Sequence, residues 1–352
     1  MKIEFFTSCA YTRPLVVPLI TSQNIITSGN GVYLCLREKN GANGYGEVNG
    51  SNDRLQLAQL SNIIDREIPN TLDGISDFID ETLLDLQPAY RFAIETALCD
   101  LAAKIADKPL AEWINPKCHN KVPVNYLLSS LPLNWDKFRD IILKRGYKAV
   151  KIKIGSGTKE DEIEFIARIR KYLGEDIEIR LDANRAMDYD RAASLLTEAA
   201  PYDISYIEEP LNCFNMALLT RLRKEADIGI ALDESLIEEN YNPILLDQKY
   251  CDAAIIKPAL TGGVKRTIDF YEQVKKTGIR PVITSNLETE IGLAASLHLT
   301  AATSGELTPM GLDTLRFYDK ADRSLTALDK GMIKINLDIG LGDWSNLCQP
   351  MA

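Results

Sequence analysis

From Val122 onward the chain alternates short apolar runs with longer amphipathic stretches. The runs are Val122–Leu127, Lys148–Gly155, Ile177–Asp182, Ile204–Glu208, Ile228–Asp233, Ala253–Lys257 and Pro281–Ser285. Short apolar runs bounded by polar punctuation predict buried strands, and stretches such as Glu160–Leu173 and Val264–Thr277 carry the apolar spacing of amphipathic helices. Repeated βα units of this kind favour a parallel barrel over an open sheet. An eighth strand is faint, near Leu307–Leu312.

The pattern before Val122 is different. Gly31–Arg37 and Gly44–Val48 are β-prone and bounded by Gly and Asn turns. Thr21–Ser28 is polar with two apolar residues at its centre, which suits either a plain connection or a flap. Residues 53–115 have helical spacing, clearest from Pro88 to Asp107, where Phe92, Ala93, Thr96, Ala97, Leu101 and Ile105 form one apolar stripe. The first part of the chain therefore predicts a small α+β domain, a meander followed by helices.

Lys151 and Lys153 stand two apart in an otherwise apolar run, so as a strand they share a face. One reading is an edge strand guarded by solvated lysines; the other is a pair of ammonium groups placed on purpose where burial is costly. The following strands bear on the choice. Lys153, Asp182, Glu208, Asp233, Lys257 and Ser285 end successive runs at intervals of 29, 26, 25, 24 and 28 residues, one βα unit per step. In a parallel barrel the C-terminal strand ends form one rim, where the active site sits. Any one of these residues could be a helix cap; a charge at five consecutive strand ends is poorly explained that way.

Three carboxylates converging without histidine form a hard oxygen site, for which Mg2+ is the natural guest. Lys153 precedes the acids and Lys257 follows them, so the two amines flank whatever lies on the metal. That arrangement suits removal of a proton α to a carboxylate, with the metal countering the developing charge.

Composition narrows the field further. The chain has 352 residues, a formal net charge of -10 and no basic run, which argues against nucleic acid as a partner. The two histidines, His119 and His298, leave little room for a histidine-based zinc site or a Ser-His-Asp triad, and His298 lies in a helical stretch where packing is the expected role. Seven scattered cysteines without a CxxC suit free thiols in a reducing compartment. With no signal-like start and no bilayer-length apolar run, the expectation is a cytoplasmic protein without a membrane partner.

Five motifs carry a family likeness: Lys151-Ile-Lys153, Leu181-Asp-Ala-Asn184, Glu208-Glu-Pro210, Asp233-Glu-Ser235 and Ile256-Lys-Pro258. The chain resembles the enolase superfamily in its muconate-lactonizing subgroup. The likeness covers essentially the whole chain and implies a modified TIM barrel, (β/α)7β, over residues 119–315. It also implies an N-terminal α+β capping domain over residues 1–118, completed by 316–352. A lysine or histidine base beside magnesium is the general chemistry of that superfamily. By the resemblance Asp182, Glu208 and Asp233 bind Mg2+, Lys153 is the base, Lys151 tunes it, and Lys257 stands on the opposite face. Asn184 and Glu234 support the metal ligands, Glu209 has a structural place, and Thr284, Ser285 and the backbone around Gly311 and Leu312 match positions that line the substrate. Gly311 could instead simply serve a turn. Thr21–Ser28 and Gly50–Asp53 match loops that cover the site mouth.

Within the subgroup the stretches Arg180–Ala186, Ile256–Gly262, Thr284–Glu288, Gly311–Leu315 and Gly31–Glu38 are most similar to the o-succinylbenzoate synthase family. The implied reaction is a dehydration of a small carboxylate substrate in menaquinone synthesis. Sister activities remain open: N-acylamino acid racemase, dipeptide epimerase, cycloisomerase, or a catalytically silent barrel that binds a carboxylate. The family's dipeptide epimerases carry Asp-x-Asp near the last strand, where Gly311-Leu-Asp313 has a single acid.

Overall fold

The computed structural model describes residues 1–20 and 25–348. An antiparallel sheet opens the chain, with β1 (Ile3–Ile20), β2 (Ile25–Glu38) and β3 (Asn43–Asn49) in that order. Of the Thr21–Ser28 flap expected from sequence, residues 21–24 lie outside the described residues, and Ile25–Ser28 belong to β2. Four helices follow: α1 (Arg54–Leu60), α2 (Leu72–Thr82), α3 (Pro88–Ile105) and α4 (Leu110–Ile114). The single apolar stripe expected for α3 is too narrow. Every residue from Tyr90 to Ala103 is buried, whereas Ile105 is 48% exposed. The helix is enclosed because Arg91, Glu95 and Asp100 find ion partners inside, which lets polar faces go under as well.

After β4 (Lys121–Pro123) the chain enters its βα run. The strands are β5 (Tyr126–Leu128), β6 (Ala149–Lys153), β7 (Glu178–Asp182), β8 (Ile204–Glu208), β9 (Gly229–Leu232), β10 (Ala253–Ile256) and β11 (Arg280–Ile283). They form one seven-stranded sheet in sequence order, parallel at every pairing. The intervening helices are α5 (Trp135–Arg145), α6 (Lys159–Leu173), α7 (Tyr189–Ala199), α8 (Met216–Ala226), α9 (Glu234–Glu238), α10 (Pro258–Thr261) and α11 (Val264–Lys276). The last helix, α12 (Glu290–Ala302), follows β11. Burial on both faces is what a parallel sheet wrapped by helices requires, and four of the five residues of β6 are buried. The edge-strand reading of the lysine run is thereby excluded, since β6 lies between β5 and β7.

The faint eighth segment contributes isolated bridges at both sheet edges, Met310 to Val124 and Gly311 to Thr284. Met310 donates to Pro123 and accepts from Asn125, while Gly311 donates to Ile283 and accepts from Ser285, at 2.8–3.0 Å. Gly311 serves this close approach and not a turn: a Cβ there would stand 2.7 Å from Thr284 Oγ1. The chain ends on β12 (Leu328–Asp329) and β13 (Met332–Lys334), and β13 pairs with β4. Beyond them the Leu341 N–H donates to Asp100 at 2.6 Å and Tyr45 donates to Asp343 at 2.9 Å, tying the segment back to α3 and β3.

Two buried bases outside the rim give measurable consequences. Arg180 is fully buried in β7; Nη1 donates to the Pro309 carbonyl at 2.6 Å and Nη2 to Glu178 at 3.0 Å. Arg180→Ala leaves the Pro309 carbonyl without that donor, while Glu178 keeps Arg280 at 2.5 Å, and should cost roughly 1–3 kcal/mol, read as a fall in the urea midpoint. His298 is buried on α12, where Nδ1 accepts the Ala111 N–H at 3.2 Å, and burial brings its pKa down to about 4 from 6.5. The unfolded chain therefore takes up this proton first. The stabilising contribution is present above pH 6.5 and is lost as pH falls towards about 4. The urea midpoint should fall across that window, and less so in His298→Gln.

Candidate active site

The strand register brings the predicted residues together. Lys153 pairs with Asp182 across β6 and β7, and Asp182 pairs with Glu208 across β7 and β8. Asp233 follows β9 directly and Lys257 follows β10. With the sheet in sequence order, three acids occupy three adjacent strand ends and a lysine stands on either flank. All three acids are 1% exposed. Lys151, Lys153, Asn184, Thr284, Ser285 and Gly311 line the same cleft as the acids and Lys257.

Each lysine of the cleft meets a carboxylate. Lys153 Nζ donates to Asp182 Oδ2 at 2.5 Å and to Asn184 Oδ1 at 2.6 Å. Lys257 Nζ donates to Asp233 Oδ2 at 2.5 Å. Lys151, two residues deeper on the same strand face, reaches Asp182 at 3.0 Å and both oxygens of Glu208 at 3.0 and 3.2 Å. Burial opposes the charge on Lys151, but Asp182 and Glu208 outweigh it and hold the amine well above the ordinary lysine value. Lys257 is likewise raised: burial opposes its charge, and Asp233 with Glu208 overcomes the opposition. The neighbouring acids split, as coupled carboxylates do. Burial opposes ionisation of Asp182, but Lys151 and Lys153 hold its pKa below the usual range, whereas burial and repulsion from Asp182 push Glu208 up.

Among the described residues, no three acidic, histidine or cysteine side chains stand arranged to hold a metal ion. Lys153 and Lys257 stand on one oxygen each of Asp182 and Asp233, Oδ2 in both cases. The donor set nevertheless fits a hard cation. It is all carboxylate oxygen, and Asp233 Oδ1 is buried without a hydrogen-bond partner among the described residues. Glu234 Oε2 is buried and unpartnered in the same way, while Glu234 Oε1 accepts from Asn184 Nδ2 at 3.0 Å. Asn184 thus bridges Lys153 and Glu234.

Other predicted positions separate from the cleft. The Leu312 side chain is fully buried in the hydrophobic core, so what that residue can offer the cleft beside Gly311 and Asp313 is its backbone. Gly50–Asp53 do not line the cleft. Asp53 caps α1 through the Leu55 N–H at 2.8 Å, and its own N–H donates to Tyr90. Sequence reasoning missed Leu19, Asn125, Leu127, Asn286, Leu287, Asp313 and Thr314, which do line it. Their run-end positions beside β1, β5, β11 and Gly311 were the available signal.

Glu209, given only a structural place from sequence, organises the Asp233 turn. Its carboxylate accepts the N–H groups of Asp233 and Ser235 and the Ser235 hydroxyl, each at 2.8 Å, and Arg185 Nε at 3.1 Å. Its backbone φ of 42° is left-handed, as are those of Asn184 and Arg185, so the turns after β7 and β8 are held in conformations that single residues adopt only under constraint.

The fold and this rim define an α/β protein with a lysine and carboxylate site at the C-terminal ends of a parallel sheet. A family model described as enolase C-terminal domain-like matches residues 136–343, and the chain belongs to the enolase superfamily. An o-succinylbenzoate synthase from Desulfotalea psychrophila is 30% identical over 275 residues, covering 77% of this chain and 74% of that one. An N-succinyl-L-Arg/Lys racemase from Bacillus cereus is 25% identical over 360 residues, covering 97% and 95%. Among solved structures, a dipeptide epimerase from Cytophaga hutchinsonii, complexed with Mg and the dipeptide D-Ala-L-Val, superposes with a TM-score of 0.82. It is 25% identical, covering 97% of this chain and 95% of that one.

Mg2+ titrated calorimetrically should bind the wild-type chain. Asp182→Asn and Asp233→Asn should each weaken that binding by at least ~10-fold, and Glu209→Gln by less, since it acts through the turn.

Proposed function

We propose that this protein is an o-succinylbenzoate synthase, a Mg2+-dependent lyase acting in the cytoplasm on a small carboxylate. Its reaction is the syn dehydration of 2-succinyl-6-hydroxy-2,4-cyclohexadiene-1-carboxylate. The observation that carries the reading is the pair of lysines at 2.5 Å from the outer two of three buried acids, Lys153 on Asp182 and Lys257 on Asp233. The reading also takes the seven-stranded sheet and its bridges at residues 310–311 as a (β/α)7β barrel over 119–315. Residues 1–118 with 316–352 then form its cap.

Asp182, Glu208 and Asp233 would hold Mg2+, which supplies positive charge against the substrate carboxylate. Displaced from Asp182, Lys153 takes the ring proton α to that carboxylate as a neutral amine. Lys257 stays an ammonium and faces the negative charge that develops. The C–O bond to the hydroxyl then breaks, Lys153 returns its proton to the departing oxygen, and water and an aromatic ring result. Lys151 holds Asp182 and Glu208 in place from below, and Asn184 orients Lys153. Gain of aromaticity drives the second step, so the site needs little beyond proton abstraction and charge stabilisation.

A second reading, an N-acylamino acid racemase, draws on the same two lysines and on the 25% identical racemase. Dipeptide epimerisation is disfavoured. The one acid available near the last strand, Asp313, is engaged by the Tyr147 hydroxyl at 2.5 Å and by Arg316 at 3.1 Å, and Gly311 stands where a second acid is needed.

Purified protein with Mg2+ should convert the cyclohexadiene substrate to an aromatic product followed by ultraviolet absorbance. Solvent deuterium exchange at Cα of N-succinyl amino acids without dehydration activity would favour the racemase. Lys153→Ala should retain product binding by calorimetry and turn over ~10³-fold more slowly; near-normal turnover would remove Lys153 from the role of base.

A further inference from the structure

The βα helices do not all begin in the same way. Four of them start on a side chain of their own: Asn134 caps α5, Thr158 caps α6, Asp188 caps α7 and Asn215 caps α8. The helices α11 and α12 have no side-chain cap at Gly263 or Thr289. Both are 13 residues long, and unmet N–H groups at a buried helix start are costly. The partners come from the N-terminal α+β region. Glu95 of α3 accepts the Val264 and Lys265 N–H groups at 3.0 and 3.3 Å. Glu47 of β3 accepts those of Thr289 and Gly292 at 2.7 and 2.8 Å. Both glutamates are buried, at 0% and 1% exposure.

The fit is built from both sides. Gly263 has φ 152°, and a Cβ there would stand 2.2 Å from Glu95 Oε2. Arg91 completes that joint, with Nη1 2.7 Å from both Glu95 Oε2 and the Gly262 carbonyl. At the other joint Tyr11 donates to Glu47 at 2.6 Å. Helix α12 is the one that follows Ser285, and α11 follows Lys257 after the one-turn α10. The Lys257 carbonyl accepts from Leu260 and Thr261 at 2.9 and 2.8 Å, so a single rigid turn links Lys257 to the Glu95 joint. The Ser285 hydroxyl donates at 2.6 Å to Glu288, whose neighbour Thr289 is held by Glu47.

We infer that Glu95 and Glu47 are positioning residues: as the missing N-terminal caps of α11 and α12, they fix the wall of the cleft that carries Lys257 and Ser285. A carboxylate at a helix N-terminus meets both the free N–H groups and the positive end of the helix dipole. The docking of the N-terminal region is therefore part of how the site keeps its shape. The inference rests on the reading of Lys257 as a working group of the site.

The test compares Glu95→Gln and Glu47→Gln with Asp100→Asn in the full chain. Asp100 is a buried carboxylate of the same helix as Glu95, but it receives the N–H groups of Tyr45 and Leu341, away from the rim. Amide hydrogen exchange read by mass spectrometry should rise ~10-fold at residues 258–265 in Glu95→Gln and at 285–292 in Glu47→Gln, and at neither in Asp100→Asn. In parallel, kcat should fall ~10-fold in Glu95→Gln with KM within about twofold, and stay unchanged in Asp100→Asn. If Glu95→Gln does not fold, Glu95→Asp, a carboxylate one methylene short, takes its place. Unchanged exchange at the rim, or equal loosening by Asp100→Asn, overturns the inference. A wild-type chain silent on the substrate would count against the proposed reaction alone, because the exchange measurement stands without turnover.

Discussion

The constraint on which this structure turns is charge held in a dry place. Asp182, Glu208 and Asp233 are nearly inaccessible at the ends of three adjacent strands. Carboxylates there cannot remain ionised unless cations sit against them. Lys151, Lys153 and Lys257 meet that need from the strands on either flank and from the layer beneath. Parallel pairing makes the arrangement possible: it sets equivalent residues of neighbouring strands side by side, so one charge per strand end becomes a continuous ionic row.

That row also explains why the site suits chemistry that generates negative charge. The strands themselves gather the acids and amines that such chemistry needs along one cleft. The surrounding side chains keep the charges aimed. Asn184 links Lys153 to Glu234, and Glu209 gathers the N–H groups of the Asp233 turn. The left-handed backbone at Asn184, Arg185 and Glu209 is part of the same bracing.

Much of this was legible because strands impose a period of two and βα units impose a regular stride. The alternation of Lys151 and Lys153 and the spacing from Lys153 to Ser285 were enough to gather the rim on one edge of one sheet. What the pattern could not reveal depended on contacts distant in sequence. The enclosure of α3 depends on ion partners reached only after folding, and the place of Gly311 depends on the Thr284 side chain packed against it.

The sequence by itself determined the chemical kinds available and their order: acids and amines at successive strand ends, with almost no histidine. Local periodicity encodes that much, since it depends only on neighbours along the chain. Tertiary structure alone decided which oxygen each ammonium occupies, which helix starts depend on Glu47 and Glu95, and which residues wall the cleft. Those outcomes are distances between segments far apart in sequence, and they are set by how the layers pack together.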